Sequence, residues 1–172
     1  LIGTKDIISL KDGKLTLDSN YCELDIWTFE QALEKAKRLM NQGLKREAIS
    51  LYKKAINTYK SHFLASEPEE PWMIPMRERL KTKFTAAIRT AAEFFEENNA
   101  PEDALSYYEK GLDVDPLQEI FYQRMMLLYQ KLGFKVEALK VYKRCEETLK
   151  RMLETEPSHE TSTIYRQIIE SD

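Results

Sequence analysis

The triplet Ser158-His159-Glu160 contains the letters of a nucleophile, a general base and an orienting carboxylate. Acyl transfer needs those groups in a hydrogen-bonded relay, whereas consecutive residues at a helix start project in different directions. The triplet instead reads as a helix N-cap followed by an acidic first turn. Asp113-Val114-Asp115 has the spacing of a two-carboxylate metal grip, and reads better as a helix end followed by the N-cap of the next helix. His62 is far in sequence from Cys22 and Cys145, so no metal cluster is expected. Neither a phosphate-binding loop motif nor a dinucleotide fingerprint is present, and five glycines leave little room for one. The sequence therefore predicts no catalytic residues, no cofactor and no metal.

Positioning side chains of any kind needs a core, and 172 residues suffice for one medium domain. Charged residues make up 32% of the chain, yet their signs nearly cancel at −3. That balance argues against a surface that coats nucleic acid and against a polybasic membrane anchor. No run approaches the ~18 apolar residues of a membrane-spanning helix. The chain opens on Leu1 without a secretory leader, which reads as a piece of a longer protein. Two cysteines in dissimilar segments suggest free thiols in a reducing cytoplasm.

Along the chain, residues 1–24 differ from the rest. Short β-type runs at 6–10 and 14–17 flank Asp12-Gly13, a type I′ turn signal, and predict a β-hairpin. Everything after Asp25 carries helical periodicity. Helices are expected over about 25–40, 45–60, 76–97, 101–113 and 158–169, with a hairpin of two more between Asp115 and Cys145 that turns at Gly133. Asp25 and Asp115 are expected N-caps, Gln118 completes a capping-box spacing with Asp115, and Gly133 is expected to close its helix in the left-handed conformation. In the helix after Asp115, Ile120, Met125, Leu128, Tyr129 and Leu132 are the expected inward face. Ser61–Pro75 interrupts the pattern with three prolines and three glutamates, and reads as a structured loop packed down by Trp72.

Three segments superimpose: GLKREAISLYKK from Gly43, NAPEDALSYYEK from Asn99 and GFKVEALKVYKR from Gly133. Each places Ala, a large aliphatic and Tyr at the same spacing: Ala48-Ile49-Tyr52, Ala104-Leu105-Tyr108 and Ala138-Leu139-Tyr142. The last two are offset by 34 residues, the period of a tetratricopeptide repeat. The small residue permits close approach of helices and the tyrosine fills the space beside it, as core rather than as a cofactor box. The fold expected is all-α: a tetratricopeptide-like (TPR-like) stack of about seven helices in helical hairpins, preceded by a short β-hairpin.

Trp72 with Arg79-Leu80, Asp115-Pro116-Leu117 with Glu119, Arg124, Met126 and Tyr129, then Gly133, Ala138-Leu139, Tyr142, Leu153 and Glu156-Pro157-Ser158 with Glu160-Thr161 follow one order. In that order they resemble the bacterial transcriptional activator domain of SARP-type regulators. Glu154 departs from the pattern, where the family usually has Gly. The resemblance implies a regulatory and oligomerisation domain, residues 25–172, of a cytoplasmic bacterial transcription regulator, whose parent is either a response regulator with a receiver domain or a large regulator with a nucleotide-binding domain. It implies that residues 1–24 are the final hairpin, or wing, of a truncated winged-helix DNA-binding domain. DNA would then be bound through the adjoining winged helix, and protein partners would be a second copy, other regulator domains or RNA polymerase, with no membrane role.

Two sets of candidate residues follow. Lys11 and Lys14 flank the expected hairpin tip, where they could reach DNA phosphates without reading sequence, or simply be the charges of an exposed turn. In the repeat register, Arg89, Glu93, Gln123, Leu127 and Gln130 fall on the inner helices that line a TPR-type groove for a peptide or helix. The same face could be plain surface or be covered by the C-terminal helix. The alternative function is a free-standing TPR-type adaptor that binds protein segments and never touches DNA.

Overall fold

The computed structural model describes residues 8–11, 14–18, 21 and 23–171. Among them are two short strands, β1 (Ile8–Lys11) and β2 (Lys14–Leu17), and seven helices. The helices are α1 (Asp25–Asn41), α2 (Lys45–Thr58), α3 (Ile74–Glu97), α4 (Pro101–Val114), α5 (Glu119–Lys131), α6 (Lys135–Leu153) and α7 (His159–Glu170). The chain divides into two compact units, Leu1–Lys60 and Ser61–Asp172.

In the first unit β1 and β2 pair antiparallel, Ile8 opposite Leu17 and Lys11 opposite Lys14. The Asp12-Gly13 turn and Cys22 lie outside the described residues. Helices α1 and α2 form a hairpin around Phe29, Leu33, Ala36, Ala48, Ile49, Tyr52 and Ile56, all buried. Leu24, not Asp25, is the N-cap of α1; Asp25 is the first helical residue, and its Oδ1 accepts from the Ile26 N–H at 2.8 Å. An acidic group in the first turn favours the helix dipole from either position, so the sequence signal was shared between neighbours.

The three repeat segments begin at one structural position. Gly43, Asn99 and Gly133 all adopt positive φ, at 78°, 55° and 79°. Behind each runs the same pair of backbone bonds: Leu44 N to Leu39 O (3.0 Å), Ala100 N to Phe95 O (2.9 Å) and Phe134 N to Tyr129 O (2.8 Å), each beside a shorter-range bond from the left-handed residue. This is the Schellman closure, which satisfies the helix's last carbonyls. The residue after the left-handed one is already the N-cap of the next helix (Leu44, Ala100, Phe134), so each hairpin turns in the minimum of chain.

In the second unit α3–α4 and α5–α6 are such hairpins, with α7 packed on α5 and α6. Ala104 and Ala138 are fully buried, as close helix approach requires. Gly111 in α4 is a further close contact: a Cβ there would lie 2.4 Å from the Phe121 ring and 3.1 Å from Ile88. Asp115-Pro116 does not open α5. Asp115 ends α4, and its carboxylate accepts from the Leu117 N–H (3.4 Å) and the Gln118 side chain (2.8 Å). Asp115 therefore spends its oxygens on a turn instead of a helix, and α5 begins three residues later than a Pro116 start would place it. Phe121, Tyr122, Met125 and Met126 take the interior, and Ile120 is turned outward.

The 61–73 loop is held differently from expectation. Met73 is the buried residue, and Trp72 is 62% exposed. The Arg77 guanidinium donates to the Phe63 carbonyl (2.9 Å), the Leu64 carbonyl (3.0 Å) and the Glu69 carboxylate (2.8 Å). A planar fork of fixed donors pins a loop better than an apolar ring can, because it satisfies carbonyls that the loop's own backbone leaves open.

Candidate partner groove

In a TPR-type stack the first helix of each hairpin lines the inner face, a place that the repeat register expects α3 and α5 to take. Arg89 and Glu93 stand exposed on α3, Nε and Oε1 4.0 Å apart. On α5, Leu127 is partly exposed, whereas Gln123 is buried and donates from Nε2 to Thr161 Oγ1 at 2.8 Å. Gln130 donates to Ser171 Oγ at 3.3 Å. The structure thus leaves Arg89, Glu93 and Leu127 accessible and commits Gln123 and Gln130 to α7.

Both ends of α7 are clamped. At its start Ser158 is the N-cap, accepting from Thr161 N at 3.3 Å, as its sequence position predicts. Glu119 of α5 adds a second acceptor: its Oε2 takes the Ser158 N–H (2.9 Å) and the Thr161 hydroxyl (2.6 Å). Burial alone would raise the Glu119 carboxyl, but the bonds from Thr161 and Ser158 outweigh it and hold the group below its ordinary value. At the other end Lys135 Nζ donates to the carbonyls of Ile169 (2.9 Å) and Ser171 (2.6 Å). A cation there also complements the helix C-terminus. Between the clamps Tyr142 and Tyr165 stack at 3.9 Å, so Tyr142 packs between helices, half-buried.

A second polar centre ties α3, α4 and α5 together. The Glu96 carboxylate accepts from the Tyr108 hydroxyl (2.6 Å) and from both Nε and Nη2 of Arg124, Nε at 3.1 Å. Burial, then the Glu96 bond, pushes the Tyr108 phenol up; the same carboxylate raises Arg124. Both shifts favour the protonated forms, a neutral Tyr108 and a charged Arg124, so the cluster reads as an architectural lock between the three helices. Sequence reasoning did not find Glu96, Glu119 or Lys135 as organising residues, because each bonds across more than 25 positions, for example 28 for Glu96–Arg124. Lys11 and Lys14 end β1 and begin β2, opposite one another.

This helical arrangement has relatives. Residues 24–169 match the family model described as the bacterial transcriptional activator domain. The chain belongs to that family. It is thus a domain of the transcription-regulator type. A solved structure of Mycobacterium tuberculosis EmbR, in complex with a low-affinity phosphopeptide, superimposes with a TM-score of 0.70 at 16% identity, covering 95% of this chain. This chain spans 43% of that EmbR chain. The C-terminal TPR-containing domain of a putative FK506-binding protein from Plasmodium falciparum superimposes with a TM-score of 0.55 at 15% identity, covering 88% of this chain and 94% of that one. At these identities the likeness is one of fold, and the fold is TPR-like and all-α. No curated protein matches the chain. No helix among the described residues is long and apolar enough to cross a membrane.

Proposed function

We propose that this activator domain is the regulatory, protein-interaction and oligomerisation part of a cytoplasmic, non-enzymatic bacterial regulator that binds DNA through an adjoining winged helix. The observation that carries the reading is the family match over residues 24–169. In this reading the β1–β2 hairpin within residues 1–24 is the wing, and Lys11 and Lys14 are the residues that would contact phosphates. The accessible groove residues Arg89, Glu93 and Leu127 engage a protein partner, either RNA polymerase or another regulator domain, by polar clamps beside one apolar contact. Gln123 and Gln130 join that surface only where α7 gives way.

The test fuses the chain to an unrelated DNA-binding domain upstream of a bacterial reporter promoter. Activation that falls when Leu127→Asp is combined with Arg89→Ala supports recruitment through the groove. A fusion that binds its site without activating, and does not self-associate, supports the free adaptor instead. For the wing, Lys11→Glu with Lys14→Glu should lower DNA affinity of the parent protein and reduce the salt slope by about two phosphate contacts. An unchanged slope removes both lysines from the interface.

A further inference from the structure

The 61–73 loop carries a surface that neither the groove nor the family match uses. Trp72 is 62% exposed, Leu64 40% and Ile74 46%, a concentration of apolar area that the core has not claimed. Phe63 meets Trp72 edge-on at 6.2 Å, which brings the two ends of the loop together and gives the indole a fixed neighbour. Beneath them the backbone is fastened by Arg77 through the Phe63 and Leu64 carbonyls and by buried Met73. Leu64 sits at φ 51°, a strained position for a branched aliphatic residue, held there by these contacts. The tryptophan is therefore presented by a pre-ordered loop and has little conformational freedom left to lose on binding.

Its surroundings specify the partner. Glu67, Glu69 and Glu70 are all exposed on the same short loop, and only Glu69 is drawn to Arg77. Burying an indole within an apolar contact, ringed by opposite charge, is the arrangement of an interface hot spot. We propose that Trp72, with Leu64 and Ile74, is a docking site for a protein helix whose apolar stripe is bordered by lysines and arginines. The aliphatic stripe covers the indole and Leu64, and the basic border pairs with Glu67 and Glu70. Acidic helices and anionic membranes are rejected by the same carboxylates.

The full chain provides its own reporter. With Trp27→Phe in place, Trp72 is the remaining tryptophan of the two. The probe is a helical leucine–lysine peptide, and the control is its leucine–glutamate counterpart. The leucine–lysine peptide should shift Trp72 emission to the blue with saturation, and the control should leave it unchanged. By anisotropy of labelled peptide, Trp72→Ala should weaken binding about 30-fold, the hot-spot range. Glu67→Gln with Glu70→Gln should weaken it about tenfold at low salt and flatten its salt dependence. Equal binding of both peptides, no change in Trp72 emission, or unchanged affinity in Trp72→Ala would each overturn the proposal. Should Trp72→Ala fail to fold, the glutamine pair, which touches only exposed groups, decides alone.

Discussion

Replacing Glu119 with alanine should release α7 while leaving α3 and α4 in place. The substitution removes the acceptor of two hydrogen bonds, from the Ser158 N–H and the Thr161 hydroxyl. A hydrogen bond to a charged group contributes about 1.5–3 kcal/mol. Thr161 keeps Gln123 and Ser158 as partners, and Glu119 is only half-buried, so the combined loss falls near the lower end, about 2 kcal/mol. At about 1.4 kcal/mol per decade, α7 amides should exchange with deuterium about 30-fold faster, with α3–α4 amides unchanged. The pH dependence supplies an independent check. Because the folded carboxyl lies below its ordinary value, its contribution is complete above the ordinary glutamate range and is lost as pH falls through the folded value. Corrected for intrinsic rates, α7 exchange in the parent chain should rise toward the variant's in acid, where the two converge. A change of less than threefold, or acceleration spread evenly over α3–α6, would refute the idea that Glu119 seats α7.

Three further outcomes are expected. Gly111→Ala should destabilise the second unit by about 1–3 kcal/mol in denaturant unfolding, because the new methyl meets the Phe121 ring and Ile88; undiminished stability would mean the helices can part freely. Glu154→Gly should stabilise by about 0.5–1 kcal/mol, since Glu154 closes α6 at φ 56° where glycine has no steric penalty; a lower melting temperature would refute that. In a Cys22→Ser background, the Cys145 thiol should resist aromatic disulfide reagents at pH 8 until the chain is unfolded. Burial, with Glu119 and Glu146, pushes that thiol up to about 12, and rapid labelling of the folded chain would contradict its burial.

What the sequence disclosed was the part of the fold written in local pattern. Gly43, Asn99 and Gly133 announce helix ends because a left-handed residue needs little or no Cβ penalty, and the alanines five positions on announce close packing. Ser158 could be recognised as a cap since its partner, Thr161, lies one turn away. Asp115 misled for a related reason: one carboxylate can cap a helix or close a turn, and the choice depends on what Gln118 offers it. Trp72 misled because hydrophobicity does not say whether a ring is core or interface; the decision rests with Arg77 and Met73, which fill the role first. The proposed groove residues are legible only as positions in the repeat register. Whether α7 covers them depends on Glu119 and Lys135, whose partners lie 39 and 34 residues away.

The turns of the helical hairpins carry one more consequence, for synthesis. Where a single left-handed residue separates the C-cap of one helix from the N-cap of the next, partner helices are joined by almost no chain, and their contacts are local in sequence. The α3–α4 pair can thus close as it leaves the ribosome, before α7 has been made. The late arrival of α7 then leaves the inner face of α5, Gln123 included, open for the interval of its own translation. A partner present in that interval would meet a surface that the finished protein has already folded shut.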